Sequence, residues 1–283
     1  MTLQLSVEPI KEFYGRMTDR MPELVSGMKD GEQVDIAREP AHLAFIYDQR
    51  VNGTEPFKTA FQSNYFFTAD GAAKDIAGNQ KIVLSASALR DVNPQSELSR
   101  GTLMISEEAY EAFSGQGVLT LTREEVASLH GKGYVRKEGS DLFVPKSDMV
   151  EKVHEHLSRG RINLADYAGE VAENTSSRFG NKVNQVMTFY FDQSDQDSYF
   201  VRPVVVDRTV NVSSVNADDD LGNYDGRLAG VAPEALDAFD NVGIKAPSAI
   251  ETAQIVLGHL RGIDHTKGVT KKGLEEALRR SRF

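Results

Sequence analysis

The segment from Gln185 to Gly226 restricts the possible fold of this chain more than any other, because strand-forming segments and aspartate-rich segments alternate along it. Two apolar runs, 186–191 and 199–206, are rich in the aromatic and β-branched residues typical of strands. A third run, 209–215, alternates valine with polar residues, which predicts a half-exposed antiparallel strand. Pro203 cannot donate a ladder hydrogen bond, so we expect a sheet edge or a bulge at that residue.

Joined up-down-up, these three runs predict an antiparallel meander. The segments that follow the first and third runs would then leave the sheet at the same end, because two strand lengths separate them. Both segments are acidic: residues 192–225 hold eight aspartates against two arginines, a net charge of −6 in a chain whose formal total is −10. The predicted acidity is therefore concentrated at one end of the sheet.

The whole sequence predicts an α+β fold, with an N-terminal mixed half and a C-terminal antiparallel β-meander flanked by helices. In the N-terminal half, residues 8–20 predict a helix and His42 to Tyr47 predict a strand. Capping residues predict helices that begin after Thr122 and Asn163. We place a soft domain boundary near residue 160, which gives regions 1–160 and 161–283. No linker composition marks it, so one domain is the alternative.

Composition narrows the functional classes. The chain has no cysteine, which excludes disulfides, thiolate metal sites and cysteine nucleophiles. Its first residues lack the basic start and apolar centre of a signal peptide, and the sequence contains no apolar run of membrane-spanning length. We therefore expect a soluble, cytoplasmic protein. A pI of about 5.2 argues against a general nucleic-acid binder, because phosphate contacts need clustered Lys and Arg.

No motif in the sequence names an enzyme. The phosphate-binding loop, the dinucleotide-binding glycine pattern, the GxSxG nucleophile and the HExxH zinc pattern are all missing. His154 and His156 lie on a predicted helix, where side chains two residues apart diverge by roughly 200° and cannot face one metal. His259 and His265 straddle a helix end and are interpreted as ordinary polar residues. The sequence thus assigns no catalytic residue and favours a non-catalytic protein over an enzyme.

The acidic loop 216–225 is the candidate metal site. Its first, third and fifth positions carry oxygen side chains, the spacing with which a calcium loop converges on one cation. Leu221 stands where an EF-hand has glycine, and Arg227 stands where it has the bidentate glutamate, so an EF-hand is excluded. A looser Mg²⁺ or Ca²⁺ site is the remaining hypothesis, beside a solvated acidic turn. Its ligands would be Asn216, Asp218, Asp220 and Asp225.

The C-terminal segment is basic, with six Lys and Arg against two Glu over residues 266–283. An acidic pole and a basic tail on one chain favour a protein partner or self-association, so the leading hypothesis is a non-catalytic interaction or assembly protein. The predicted partner-binding residues are Lys271, Lys272, Arg279, Arg280, Arg282, Asp192, Asp195 and Asp197.

Two alternative functions are left open. One is a divalent-metal-dependent hydrolase that uses the acidic loop. The other is a nucleic-acid adaptor, because residues 122–146 predict a helix followed by a hairpin. That segment holds five basic residues against four acidic ones. Its near neutrality argues against DNA or RNA as the partner.

Overall fold

A computed structural model of the chain describes residues 10–29, 32–33, 39–180, 182–194, 197–224, 226–233, 235–236 and 239. The chain divides into two units, 1–239 and 240–283, and the second lies outside the described residues. Within the described part, no helix is both long enough and apolar enough to cross a bilayer.

The predicted α+β class is confirmed, because the described residues form both helices and sheets. The helices are α1 (Met17–Ser26), α2 (Leu43–Asn52), α3 (Phe57–Ser63), α4 (Ser87–Arg90), α5 (Glu107–Ala112), α6 (Arg123–Leu129), α7 (Asp148–Leu157) and α8 (Leu164–Phe179), with a 3₁₀ turn at Thr209–Asn211. Local capping explains several of them. Thr122 and Glu125 form the predicted capping box of α6, and the Asn163 side chain accepts the first backbone N–H groups of α8.

The strands belong to three sheets. They are β1 (Ile10–Tyr14), β2 (Met28–Lys29), β3 (Glu32–Gln33), β4 (Glu39–Pro40), β5 (Phe66–Lys74), β6 (Gln80–Val83), β7 (Leu98–Ser99), β8 (Thr102–Met104), β9 (Val118–Leu121), β10 (Tyr134–Arg136), β11 (Phe143–Pro145), β12 (Gln185–Val186), β13 (Phe189–Phe191), β14 (Phe200–Val206), β15 (Val215–Ala217) and β16 (Arg227–Val231). Among the described residues the largest sheet has eleven strands, along the path β1-β16-β5-β14-β15-β13. A small sheet, β11-β10-β12, stands beside it, and β2 pairs with β3.

Two hydrophobic cores cover the two faces of the main sheet. Alternate residues of β5 and β14 divide between them: Phe66 and Val204 pack in one core, and Phe67 and Val205 pack in the other. This division follows from the period of two along a strand. The first core includes the predicted apolar stripe of α8, from Leu164 to Ala172, which is buried as expected.

The predicted meander is wrong in its strand order. β15 lies between β14 and β13, antiparallel to the first and parallel to the second. The run 209–215 begins with a 3₁₀ turn, Thr209–Asn211, after which Val212 and Ser213 adopt left-handed backbone angles (φ 58° and 49°). That turn carries the chain back so that only residues 215–217 enter the sheet. The bulge expected near Pro203 is confirmed, because the β5–β14 register shifts between Pro203 and Val205.

Two further local predictions are wrong. Residues 43–52 form helix α2, whereas a strand was expected; the Asp70 carboxylate accepts the Leu43 N–H at 2.8 Å and His42 Nδ1 accepts the Phe45 N–H at 3.1 Å. Residues 10–14 form β1, whereas a helix was expected, because they pair with β16 at the far end of the unit. Contacts with residues far away in the sequence therefore determine the secondary structure of both segments.

The domain boundary predicted near residue 160 falls in the turn between α7 and α8, inside the first unit. Strands from both sides of that residue share the main sheet, and β5 pairs with β14 along most of its length. Strands from both sides of residue 160 therefore contribute to the main sheet.

Candidate functional site

The two acidic segments leave the main sheet side by side. Phe191 pairs with Ala217 in the parallel β13–β15 ladder, so the next residues, Asp192 and Asp218, start from the same sheet edge. We call the described aspartates that follow these two strands the acidic edge. It consists of Asp192, Asp197, Asp218, Asp219 and Asp220.

Arg202 joins the two segments. Its guanidinium reaches from β14 past the end of β15, where Nε and Nη2 contact Asp192 Oδ2 at 2.9 and 2.8 Å. Nη1 donates to the backbone carbonyls of Asp218 and Asp219 at 2.9 and 2.8 Å. The Arg202 residue is 8% exposed and the Asp192 residue 7%, so this ion pair lies inside the protein. One buried cation thus holds both acidic segments.

A second cation completes the network. Lys74, at the end of β5, lies 3.4 Å from Asp192 Oδ1 and donates to the Ser194 carbonyl. Ser194 in turn donates its backbone N–H to the same Oδ1 at 2.7 Å, and Gln80 donates to the Asp192 carbonyl at 2.7 Å. The Asp192 carboxylate and its backbone carbonyl therefore have partners, as burial of charge requires, whereas Gln80 Oε1 is buried without a hydrogen-bond partner among the described residues.

The network changes the acidity of the carboxyl groups. Burial by itself would raise the pKa of Asp192, but the hydrogen bonds from Ser194 and the charges of Arg202 and Lys74 hold that pKa below its ordinary value. Partial loss of hydration raises the pKa of both Asp218 and Asp219, and the neighbouring Asp218 charge raises that of Asp219 further. Asp192 is consequently a fixed structural anion, whereas Asp218 and Asp219 are crowded carboxyl groups that an incoming cation would stabilise.

A cleft of about 230 Å³ opens beside this network. Its apolar wall consists of Ile76, Val126 and Ala127. Two cationic and two anionic side chains line its polar wall: Lys74, Arg123, Asp192 and Asp197. The volume is smaller than the roughly 300–1,000 Å³ of pockets that hold drug-sized ligands. It suits one side chain of a partner better than a cofactor.

The described residues that follow β15, 218–224 and 226, are packed tightly on the body of the protein. The Leu221 N–H donates to the Gly101 carbonyl at 3.0 Å, and the Gly15 N–H donates to the Gly226 carbonyl at 2.8 Å. A Cβ atom at Gly226 would collide with the Phe67 ring, and one at Gly101 would collide with the Asp220 carboxyl group. The position of the acidic loop is therefore fixed by packing as well as by Arg202.

The structure describes three of the four predicted metal ligands. The Asn216 Oδ1 atom is buried without a hydrogen-bond partner, and Asp220 Oδ1 accepts the Gly222 N–H at 2.6 Å. Within the described residues, which omit Asp225, no group of three or more His, Cys, Asp or Glu side chains is arranged to hold a metal ion. The Mg²⁺ or Ca²⁺ site stays a prediction.

The predicted partner-binding residues differ in exposure, and most of them lie outside the described residues. Asp192 is not part of an exposed surface, because Arg202 and Lys74 bury it, whereas Asp197 is exposed. The remaining residues lie outside the described part of the chain; they are Asp195, Lys271, Lys272, Arg279, Arg280 and Arg282.

The histidine pair on α7 behaves as the helical geometry predicts. His154 is buried and bonds through Nε2 to the Met187 carbonyl at 2.9 Å. His156 is half-buried and bonds to the Ile82 carbonyl at 3.1 Å. The two rings therefore serve different contacts, while His259 and His265 lie outside the described residues.

Sequence reasoning missed Arg202 and Lys74 as the residues that organise the site. Arg202 stands inside the apolar run FVRPVVV of β14, and Lys74 ends β5, FFTADGAAK, in which every residue is buried. A charge within a buried strand must be paired, so each run carried a signal that a carboxylate partner lies nearby. The identity of that partner was not readable from either run.

Comparisons with known proteins name no family. No protein-family model matches the chain. No curated protein matches it either. The chain is similar to a solved structure described as "Accommodation of massive sequence variation in Nanoarchaeota by the C-type lectin fold", with 17% identity, 81% of this chain and 100% of that chain covered, and a TM-score of 0.49. At that score the likeness establishes neither a shared family nor a shared activity.

Proposed function

We propose that this chain is a non-catalytic interaction protein that binds a basic segment of a protein partner through the acidic edge. One observation carries the proposal. Arg202 binds the buried Asp192 carboxylate and two carbonyl groups of the acidic loop, while the side chains of Asp197, Asp218 and Asp220 are exposed. The carboxylates of Asp218 and Asp220 thus project from a loop that Arg202 holds in place, which lowers the entropy lost on binding.

The electrostatics support a cationic partner. Partial burial raises the pKa of Asp218 and Asp219, and a neighbouring carboxylate raises each pKa further, so a lysine or arginine that approaches them relieves repulsion as well as forming a pair. The exposed position of Asp197, Asp218 and Asp220 limits each pair to about 0–1 kcal/mol and makes binding sensitive to salt. We therefore expect several weak contacts rather than one strong one.

Binding of a lysine-rich peptide, followed by calorimetry, tests this function. The variant Asp197→Asn, Asp218→Asn, Asp220→Asn should bind the peptide about tenfold more weakly, since three exposed pairs together contribute on the order of 1–2 kcal/mol. A matched variant, Glu55→Gln, Asp91→Asn, Glu108→Gln, removes three exposed charges elsewhere on the described surface. It should bind like the wild-type chain.

Equal weakening by both triple variants would mean that only net charge attracts the peptide, and the acidic edge would lose its role. Loss of peptide binding at high ionic strength is expected for the wild-type chain, because the Debye length falls from about 10 Å at 0.1 M to about 3 Å at 1 M. Binding that is insensitive to salt would also contradict the proposal.

A further inference from the structure

The hairpin β10–β11 presents a face with the opposite character to the acidic edge. Val135 pairs with Val144, and the Lys137 N–H donates to the Leu142 carbonyl at 2.8 Å, so these side chains share one face of the ladder. We call this the hairpin face; it consists of Val135, Lys137, Leu142, Val144 and Lys146. The alternate residues Tyr134 and Phe143 are buried on the other side.

The hairpin face is apolar at its centre and basic at its two ends. Leu142 is 66% exposed and Val144 is 39% exposed, and both lysines are exposed. Two acidic residues lie in the turn of the hairpin: Asp141 is paired with Arg136 at 2.7 Å and with Lys182 at 3.3 Å, and the exposed Glu138 follows Lys137. The face therefore offers two cations around an exposed leucine.

Strand addition is not the way in which this hairpin would bind. β11 is the edge strand of its sheet, but Pro145 has no N–H to offer to an added strand. A partner would therefore meet the side chains of the hairpin face rather than its backbone.

The hairpin face and the acidic edge lie toward opposite ends of one chain segment. β12, at 185–186, pairs with β10 of the hairpin, and β13 runs from there to Asp192. The same copy therefore carries a basic, apolar face on the hairpin and an acidic edge at the end of β13 and β15. Two unlike, complementary surfaces on one molecule give a head-to-tail contact.

We infer that the partner of the acidic edge is the hairpin face of a second copy of this chain. Leu142 of one copy enters the cleft beside Ile76, Val126 and Ala127, and Lys137 and Lys146 pair with the exposed aspartates of the acidic edge. Charge complementarity and the match of one leucine to a small cleft carry the choice of occupant. This inference rests on the proposed function and names its partner.

Charge reversal of each surface tests the inference on the full-length chain. Variant A carries Asp197→Lys, Asp218→Lys and Asp220→Lys, which reverses the net charge of the acidic edge; variant B carries Lys137→Glu and Lys146→Glu. The wild-type chain should exceed the monomer mass in light scattering at low salt and return to it at high salt. Variants A and B should each be monomeric, because each then has two surfaces of the same sign. An equimolar mixture of A and B should regain the wild-type mass, since both contacts are complementary again.

Two further variants test the contribution of the Leu142 side chain and of the basic C-terminal segment 266–283. Leu142→Ala changes an exposed side chain, so it should lower the mass while leaving the thermal melt unchanged. A full-length variant with Lys271→Gln and Lys272→Gln should keep the wild-type mass.

The inference is overturned if the wild-type chain is monomeric at low salt, if variant B or Leu142→Ala keeps the wild-type mass, or if the mixture of A and B stays monomeric. Dissociation by the tail variant would equally overturn it, because the basic tail would then be the occupant. In each of these cases, peptide binding that still depends on the acidic edge would leave the proposed function standing.

Discussion

Removal of the Arg202 guanidinium should weaken both the fold and the acidic edge. The substitution Arg202→Met keeps most of the side-chain length but deletes the contacts to Asp192 and to the carbonyls of Asp218 and Asp219. It leaves the Asp192 carboxylate buried, with Lys74 as its remaining cation. Loss of one partner of a buried ion pair costs about 3–5 kcal/mol. We expect a value near 3 kcal/mol, because Lys74 and Ser194 still stabilise the carboxylate.

The assay is equilibrium unfolding in urea. With a slope of about 3 kcal/mol per molar for a protein of this size, the midpoint should fall by roughly 1 M. Arg178→Met serves as the control, since Arg178 is exposed and a surface substitution should change stability by less than about 0.5 kcal/mol. The Asp192→Asn variant and the double variant complete a mutant cycle, in which contacting residues should couple by about 0.5–3 kcal/mol.

Two results would refute this reasoning. If Arg202→Met costs less than about 1 kcal/mol, the ion pair does not hold the two acidic segments in place. If the two single effects add without coupling, Arg202 and Asp192 act separately. The same variant should also bind the lysine-rich peptide more weakly, although all three exposed aspartates remain, because their frame is loosened.

Two further predictions concern the buried polar groups of the first core. Tyr47 and Tyr167 stack at 4.2 Å, but only the Tyr167 hydroxyl is hydrogen-bonded, to Arg50 and Ser213 at 2.9 Å each, whereas the Tyr47 hydroxyl has no such partner among the described residues. Tyr167→Phe should therefore cost about 1–3 kcal/mol in urea unfolding and Tyr47→Phe about none; equal effects would contradict the hydrogen-bond assignment. Burial lowers the pKa of His154 from 6.5 to about 3, so the unfolded chain binds the proton first. The stability that depends on neutral His154 is present above about pH 6.5 and is lost as the pH falls toward 3, by up to about 1.4 kcal/mol per pH unit. His154→Phe should flatten this decline in urea unfolding between about pH 6.5 and 4.5, and parallel curves would show that His154 is not its source.

Several elements were readable from neighbouring residues alone. The capping box at Thr122 and Glu125, the Asn163 cap and the buried stripe of α8 all depend on hydrogen bonds or side chains within a few residues along the chain. The bulge near Pro203 follows from one missing N–H group. The acidic character of one sheet edge was also visible, because it is a count of charges in two short segments.

What needed the tertiary structure was the choice among distant partners. Pairing of β13 with β15, of β1 with β16, and of Asp70 with the start of α2 joins residues far apart in sequence, and no local pattern ranks such alternatives. The same holds for the site, where an arginine of β14 and a lysine of β5 meet one aspartate. Sequence composition placed the negative charge, whereas long-range pairing decided that Asp192 is buried and that Asp197, Asp218 and Asp220 face outward. A buried charge is stable only beside its partners, and only the folded chain brings those partners together.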